Sequence, residues 1–154
     1  MTSSTLTWLV IADASKARLY SCHKAKIFIE GAKTDDLHFL AEFSHVESRL
    51  KQAELVADKM GSFMGPFGTT RFEPTTPPHL QEADQFAYEL VHVLEQGRLR
   101  QEFKDIILVA PPAFMGLLLK HFPHELKKYP LTQIEKDYTQ LNEKEMLKAL
   151  LNHL

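Results

Sequence analysis

The stretch Ile106-Ile107-Leu108-Val109-Ala110-Pro111-Pro112-Ala113-Phe114-Met115-Gly116-Leu117 constrains the fold more than any other part of the chain. An unbroken apolar run suits a strand covered on both faces. The two prolines then end the strand by removing backbone donors, and they suit the first turn of a following helix. A second apolar run, Thr7-Trp8-Leu9-Val10-Ile11-Ala12, leads into Asp13-Ala14-Ser15-Lys16-Ala17-Arg18-Leu19-Tyr20. Two such strands, one feeding a helix, predict an α/β sheet.

The rest of the chain adds to this frame. Residues Ala17 to Cys22 can pair with the first strand through a turn at Ala14-Ser15-Lys16. Lys26-Ile27-Phe28-Ile29 and Leu37 to Phe43 are further strand candidates. The second is expected to be the third main strand, and the first to extend the second strand. Ser44 and Glu47 have capping-box spacing, and Val46, Leu50, Ala53, Ala57 and Met60 follow at helical intervals to Gly61. Residues 61–78 show no period but carry Phe63, Met64, Phe67 and Phe72. So aromatic a segment is expected to pack on its own core or on a second subunit.

Thr76 and Pro77-Pro78 open a helix with the stripe Ala83, Phe86, Ala87, Leu90, Val91 and Leu94, which Gly97 is expected to end. After the helix that Pro111-Pro112 starts, Pro123 and Pro130 force an irregular passage. Leu131 to Tyr138 reads as a final strand, and Asn142 with Glu145 caps a last helix. The predicted fold class is therefore α/β: a mixed sheet of about five strands in ribonuclease H-like order, βββααβαβα, with helices on both faces.

At 154 residues, one domain spanning 1–154 is expected. A chain of this length buries roughly 70% of its unfolded surface, so it needs no staple. The single cysteine, Cys22, excludes an internal disulfide and fits a reducing compartment. Met1-Thr2-Ser3-Ser4-Thr5 has no basic region, and the apolar run behind it is too short for a signal or a span. A cytoplasmic location without membrane insertion is expected. The net charge of −2 argues against a strongly electrostatic nucleic-acid binder. Yet Lys16, Arg18, Lys24, Lys26 and Lys33 face only Glu30 within one segment, a candidate phosphate-facing hairpin. The plainer reading is a solvated rim.

Three candidate sites follow from residue chemistry. His45 and Arg49 lie four apart at a helix start and would share a face. With Arg71 from the 61–78 segment they would hold a phosphate or carboxylate. The plainer reading pairs Arg49 with Glu47 or Glu54 and leaves His45 solvated. Asp13, with Arg18 and Asp137, forms a candidate polar site. A paired-metal nuclease would also need a carboxylate at the end of the central strand, where Ala110-Pro111-Pro112 stands instead. Asp13 is then more simply a turn carboxylate accepting backbone N–H bonds. The eight histidines show no HExxH, and His121 and His124 have no evident third ligand, so no metal is expected. No Walker, dinucleotide or nucleophile-elbow motif is present, and no cofactor is expected.

Several segments together resemble one family. They are Trp8 to Tyr20, Phe43-Ser44-His45-Val46-Glu47-Ser48-Arg49, Glu82 to Ala87, Leu108 to Gly116, and Ile134 to Thr139. This set is similar to the bacterial host attachment proteins, also named proteins required for attachment to host cells. That name records a phenotype and implies no molecular mechanism. The resemblance implies a fold like the middle domain of archaeal and eukaryotic peptide-release factors, where a Gly-Gly-Gln loop precedes a long helix. Residues 61–78 also precede a long helix and hold Gly61, Gly65 and Gly68, but no Gly-Gly pair and no glutamine. The resemblance therefore does not extend to peptide release.

Three functions stay open on sequence. The first is a non-enzymatic module binding a macromolecule, RNA or a ribosome-associated partner, through residues 61–78 and the basic hairpin. The second is a small hydrolase or nuclease using Asp13, His45, Arg49 and Arg71. The third is a homodimeric scaffold joined through residues 61–78.

Overall fold

The computed structural model describes residues 6–45 and 78–153. Five strands form one sheet: β1 (Leu6–Ala12), β2 (Lys16–His23), β3 (His38–Ser44), β4 (Asp105–Val109) and β5 (Leu131–Ile134). Their order is β3-β2-β1-β4-β5. β2 runs antiparallel to both β1 and β3, while β1, β4 and β5 are parallel. The sheet is thus mixed, as expected, and its strand order is compatible with the ribonuclease H-like one.

Alternation in the two central strands builds two cores. Trp8, Val10, Ala12, Ile106 and Leu108 point to one face; Leu9, Ile11, Ile107 and Val109 point to the other, and all are buried. The first face is covered by α2 (Pro78–Leu99), α3 (Pro112–Lys120) and the single turn α4 (His124–Lys127). Their contributions include Phe86, Leu90, Leu94, Phe114, Leu118 and Leu126. The second face is covered by a one-turn helix α1 (Lys24–Ile27) and by α5 (Glu143–His153), through Ile27, Met146, Leu147 and Leu150. Each such fully buried side chain contributes about 1.5–3 kcal/mol, enough to fix which stripe faces inward. Helices therefore lie on both faces of the sheet.

Local chemistry sets the helix starts. Pro111 precedes α3 and Pro112 occupies its first turn, where a missing N–H costs nothing. Asn142 caps α5 reciprocally: its Oδ1 accepts from the Glu145 amide at 2.8 Å, and its own amide donates to Glu145 Oε1 at 3.0 Å.

Three expectations are corrected. Lys26–Ile29 does not extend the sheet; the chain turns helical at Lys24 and drops Ile27 into the second core. A short apolar run carries too little period to separate strand from helix. Gly97 does not end α2, which runs on to Leu99. A Cβ at Gly97 would sit 2.4 Å from the Trp8 ring, so the glycine marks close packing of helix on strand. β5 stops at Ile134 instead of continuing to Tyr138, because the chain turns there to build the Asp137–Thr139 bend. The expected helix from Val46 to Met60, the aromatic segment 61–78 up to Pro77, and the Thr76 cap lie outside the described residues.

Candidate functional site

The parallel strands β1, β4 and β5 end on the same side of the sheet. β1 turns toward β2 while β4 crosses toward β5, so their connections diverge. That divergence is where open α/β sheets place ligands. Asp13 follows β1 there, and the 137–139 bend follows β5.

Asp13 Oδ1 accepts from the amides of Ser15 at 2.8 Å and Lys16 at 2.9 Å, and from the Ser15 hydroxyl at 3.1 Å. The Asp13 amide closes the turn onto the Lys16 carbonyl at 2.9 Å. Thr139 Oγ1 lies 3.1 Å from Asp13 Oδ2 and 2.5 Å from Asp137 Oδ1. A hydroxyl has one proton, so it donates to one of these carboxylates at a time. Burial pushes the Asp13 carboxyl up, but the Ser15 and Lys16 amides and the Thr139 hydroxyl outweigh it and hold the group below the usual carboxylate value.

Arg18 joins this cluster through the main chain. Its Nη2 donates to the carbonyls of Leu141 at 2.9 Å and of Tyr138 and Thr139 at 3.3 Å. Nη1 donates to the Tyr20 hydroxyl at 3.3 Å, which in turn donates to Glu143 Oε2 at 2.8 Å. Burial, with Glu143 as acceptor, pushes the Tyr20 hydroxyl up to about 12. The structure thus brings Asp13, Arg18 and Asp137 to one rim, with Arg18 engaged in bracing a loop. The adjoining cavity, lined by Lys16, Arg18, Glu42 and Thr139, measures about 190 Å³. Small-molecule sites usually measure about 300–1,000 Å³. Among the described residues, no three His, Cys, Asp or Glu side chains are grouped to hold a metal ion.

His45 reaches the same end of the sheet, with its amide donating to the Ser15 carbonyl at 2.8 Å. Its ring is buried against Phe86, centroid to centroid 5.1 Å, and Nδ1 lies 4.0 Å from Glu89 Oε1. An acid, not an open face, is therefore its charged neighbour. Arg49 and Arg71 lie outside the described residues.

Sequence reading missed two clusters. Asp84 Oδ1 on α2 meets His121 Nε2 at 2.9 Å and Lys120 Nζ at 3.0 Å, both at the end of α3. Those partners, His121 foremost, lower the Asp84 carboxyl. No sequence signal pairs residues so far apart. The second cluster is a groove of about 410 Å³ where the turn after α1 meets α5. Ile29, Ala32 and Leu147 supply its apolar wall, and Lys33, Lys144 and Lys148 stand around it. Among the described residues its lining contains no acid. Lys144 and Lys148 share a helix face by their four-residue spacing, which was the available signal. The basic segment itself is divided: Arg18 braces a loop, Lys24 donates to Thr132 Oγ1 at 3.1 Å, and Lys33 lies at the groove.

A mixed five-stranded sheet with helices on both faces and a polar rim at its parallel strand ends defines the class. Residues 8–150 match the family described as "Protein required for attachment to host cells", and the chain belongs to it. No curated protein matches. Among solved structures the chain is similar to a non-polymerisable quadruple mutant of pCBH ParM, at 8% identity and a TM-score of 0.49, over 99% of this chain and 47% of that one. It is also similar to the archaeal translation termination factor aRF1, at 13% identity and a TM-score of 0.44, over 96% of this chain and 37% of that one. The chain spans less than half the length of either structure. No described helix is long and apolar enough to cross a membrane.

Proposed function

We propose that the chain is a non-enzymatic module that binds a macromolecule, and that its ligand is RNA, met by the lysine-bordered groove. One observation carries this reading. In a chain with net charge −2, the described residues that line this groove include three lysines and no acid. Among the described residues, none of the three lysines is ion-paired to a carboxylate. Two of the nearby acids are engaged locally: Asp36 accepts from the Lys33 amide at 2.9 Å, and Glu143 from Tyr20, while Glu30 and Asp35 are exposed beside the groove without belonging to its lining. The rim at Asp13 and Arg18 supports bracing over turnover, since the guanidinium already serves three carbonyls.

Fluorescence anisotropy with a labelled RNA tests the reading. Phosphate contacts release counterions, so three contacts to a single strand give a log–log salt slope of about −2. Replacing Lys33, Lys144 and Lys148 together by alanine is expected to flatten that slope and abolish binding at about 200 mM salt. Undetectable RNA binding at low salt would overturn the reading.

A further inference from the structure

We infer that the groove takes one unstacked nucleobase, so that the chain prefers single-stranded over double-stranded RNA; this rests on the RNA reading above. A site for phosphate alone needs no apolar wall. Here the wall is substantial: Leu147 lies buried at the base, while Ile29 is 51% exposed at the lip. Exposed apolar surface of this kind is stabilised when covered, at about 25 cal/mol per Å². The volume of about 410 Å³ falls within the range that encloses small molecules. Gly31, at a φ of 86°, turns the chain between Ile29 and Lys33 and so sets the apolar lip beside a cation.

Charge and shape point to one ligand class. Lys144 and Lys148 lie one turn apart on α5, about 6 Å along its axis, so they meet different points of a strand. A strand passing over them would present phosphates to the ammonium groups and a base to the wall between. In a duplex the base faces are stacked away, and only phosphates and groove edges are offered. Among the described residues the lining holds no aromatic ring, and its side-chain hydroxyl comes from Thr34. Discrimination among the four bases is therefore expected to be weak.

The test uses the full chain and four titrations by anisotropy: a single-stranded oligouridine, a duplex of equal length, an abasic strand of sugar and phosphate alone, and the oligouridine against Ile29→Ser. Ile29 is exposed, so this variant is expected to fold, which circular dichroism checks. The single strand should bind roughly five- to tenfold tighter than either the duplex or the abasic strand, the gain from a base that covers about 40–55 Å² of apolar wall. Ile29→Ser should bring the oligouridine down to the abasic affinity. Equal affinity for all three nucleic acids, or an unaltered preference in Ile29→Ser, overturns the base-binding groove while leaving the RNA reading standing. Binding to none of them, with binding to vesicles containing an acidic phospholipid, overturns both.

Discussion

The Arg18 guanidinium donates at 2.9 Å to the main-chain carbonyl of Leu141, 123 residues further along the chain. It also reaches the carbonyls of Tyr138 and Thr139, so one side chain on β2 fixes the passage from β5 into α5. Hydrogen bonds from a charged donor contribute about 1.5–3 kcal/mol each, and neighbours sharing one donor add less than their sum. Arg18→Ala is expected to lower stability by about 2–3 kcal/mol, read as a lower urea midpoint. Arg18→Lys should recover less than half, because an ammonium cannot reproduce the planar fork. An unchanged midpoint in Arg18→Ala would contradict the bracing role.

A second prediction concerns Gly97. The Trp8 ring packs at 4.8 Å from Phe103, and a Cβ on Gly97 would come within 2.4 Å of the indole and 3.0 Å of Phe103. Overpacking of this kind costs about 1–3 kcal/mol. Alanine in a helix returns at most about 1 kcal/mol. Gly97→Ala is expected to be destabilising by about 1–2 kcal/mol. Trp8 is the single tryptophan, so its fluorescence should shift in the folded variant. A stabilised variant with an unaltered emission spectrum would refute the close packing.

Much of this architecture could be read before any coordinates. The runs Thr7–Ala12 and Ile106–Ala110 are apolar on both faces, which forces central strands, and Pro111-Pro112 marks the helix entry. Asn142 and Glu145 announced their cap by spacing alone. Gly97 misled because a glycine that stops a helix and one that admits a ring look alike in sequence. Ile27 misled because one helical turn leaves too few residues to show a period. Of the candidate site, Asp13, Arg18 and Asp137 were singled out by type, but their common partner Thr139 was not. Thr139 sits in a local turn on Asp137, but its reach to Asp13, 126 residues away, is set by the sheet and not by any local pattern.

Asp13 gives a third prediction, on pH. Its carboxyl is held below the ordinary value of 3.8 in the folded chain, since the amide and hydroxyl donors outweigh burial. A depressed value means stability that is fully present above 3.8 and lost as pH falls through the lower, folded value. Asp84 and Glu95 are depressed too, Asp84 chiefly by His121 and Glu95 chiefly by Arg98, so the native chain weakens in acid through several groups. Asp13→Asn removes one of them. Denaturation midpoints followed from neutral pH to about pH 3 should fall less steeply in the variant than in the parent. Parallel curves would show that Asp13 is not linked to folding.

Cys22 gives the fourth. The thiol is fully buried, and burial together with the Asp105 charge pushes it up to about 12. At pH 8 its thiolate fraction is roughly one in ten thousand, and the thiolate is the reactive form. A disulfide reagent such as dithionitrobenzoate should therefore leave the native chain unmodified over minutes and label one thiol at once in denaturant. Its slow native rate should rise in Arg18→Ala and Gly97→Ala, because reaction then proceeds through opened molecules whose population follows stability. Rapid labelling of the native parent would mean that β2 opens to solvent locally. That outcome would contradict a second core sealed over Cys22 by Ile27 and α5.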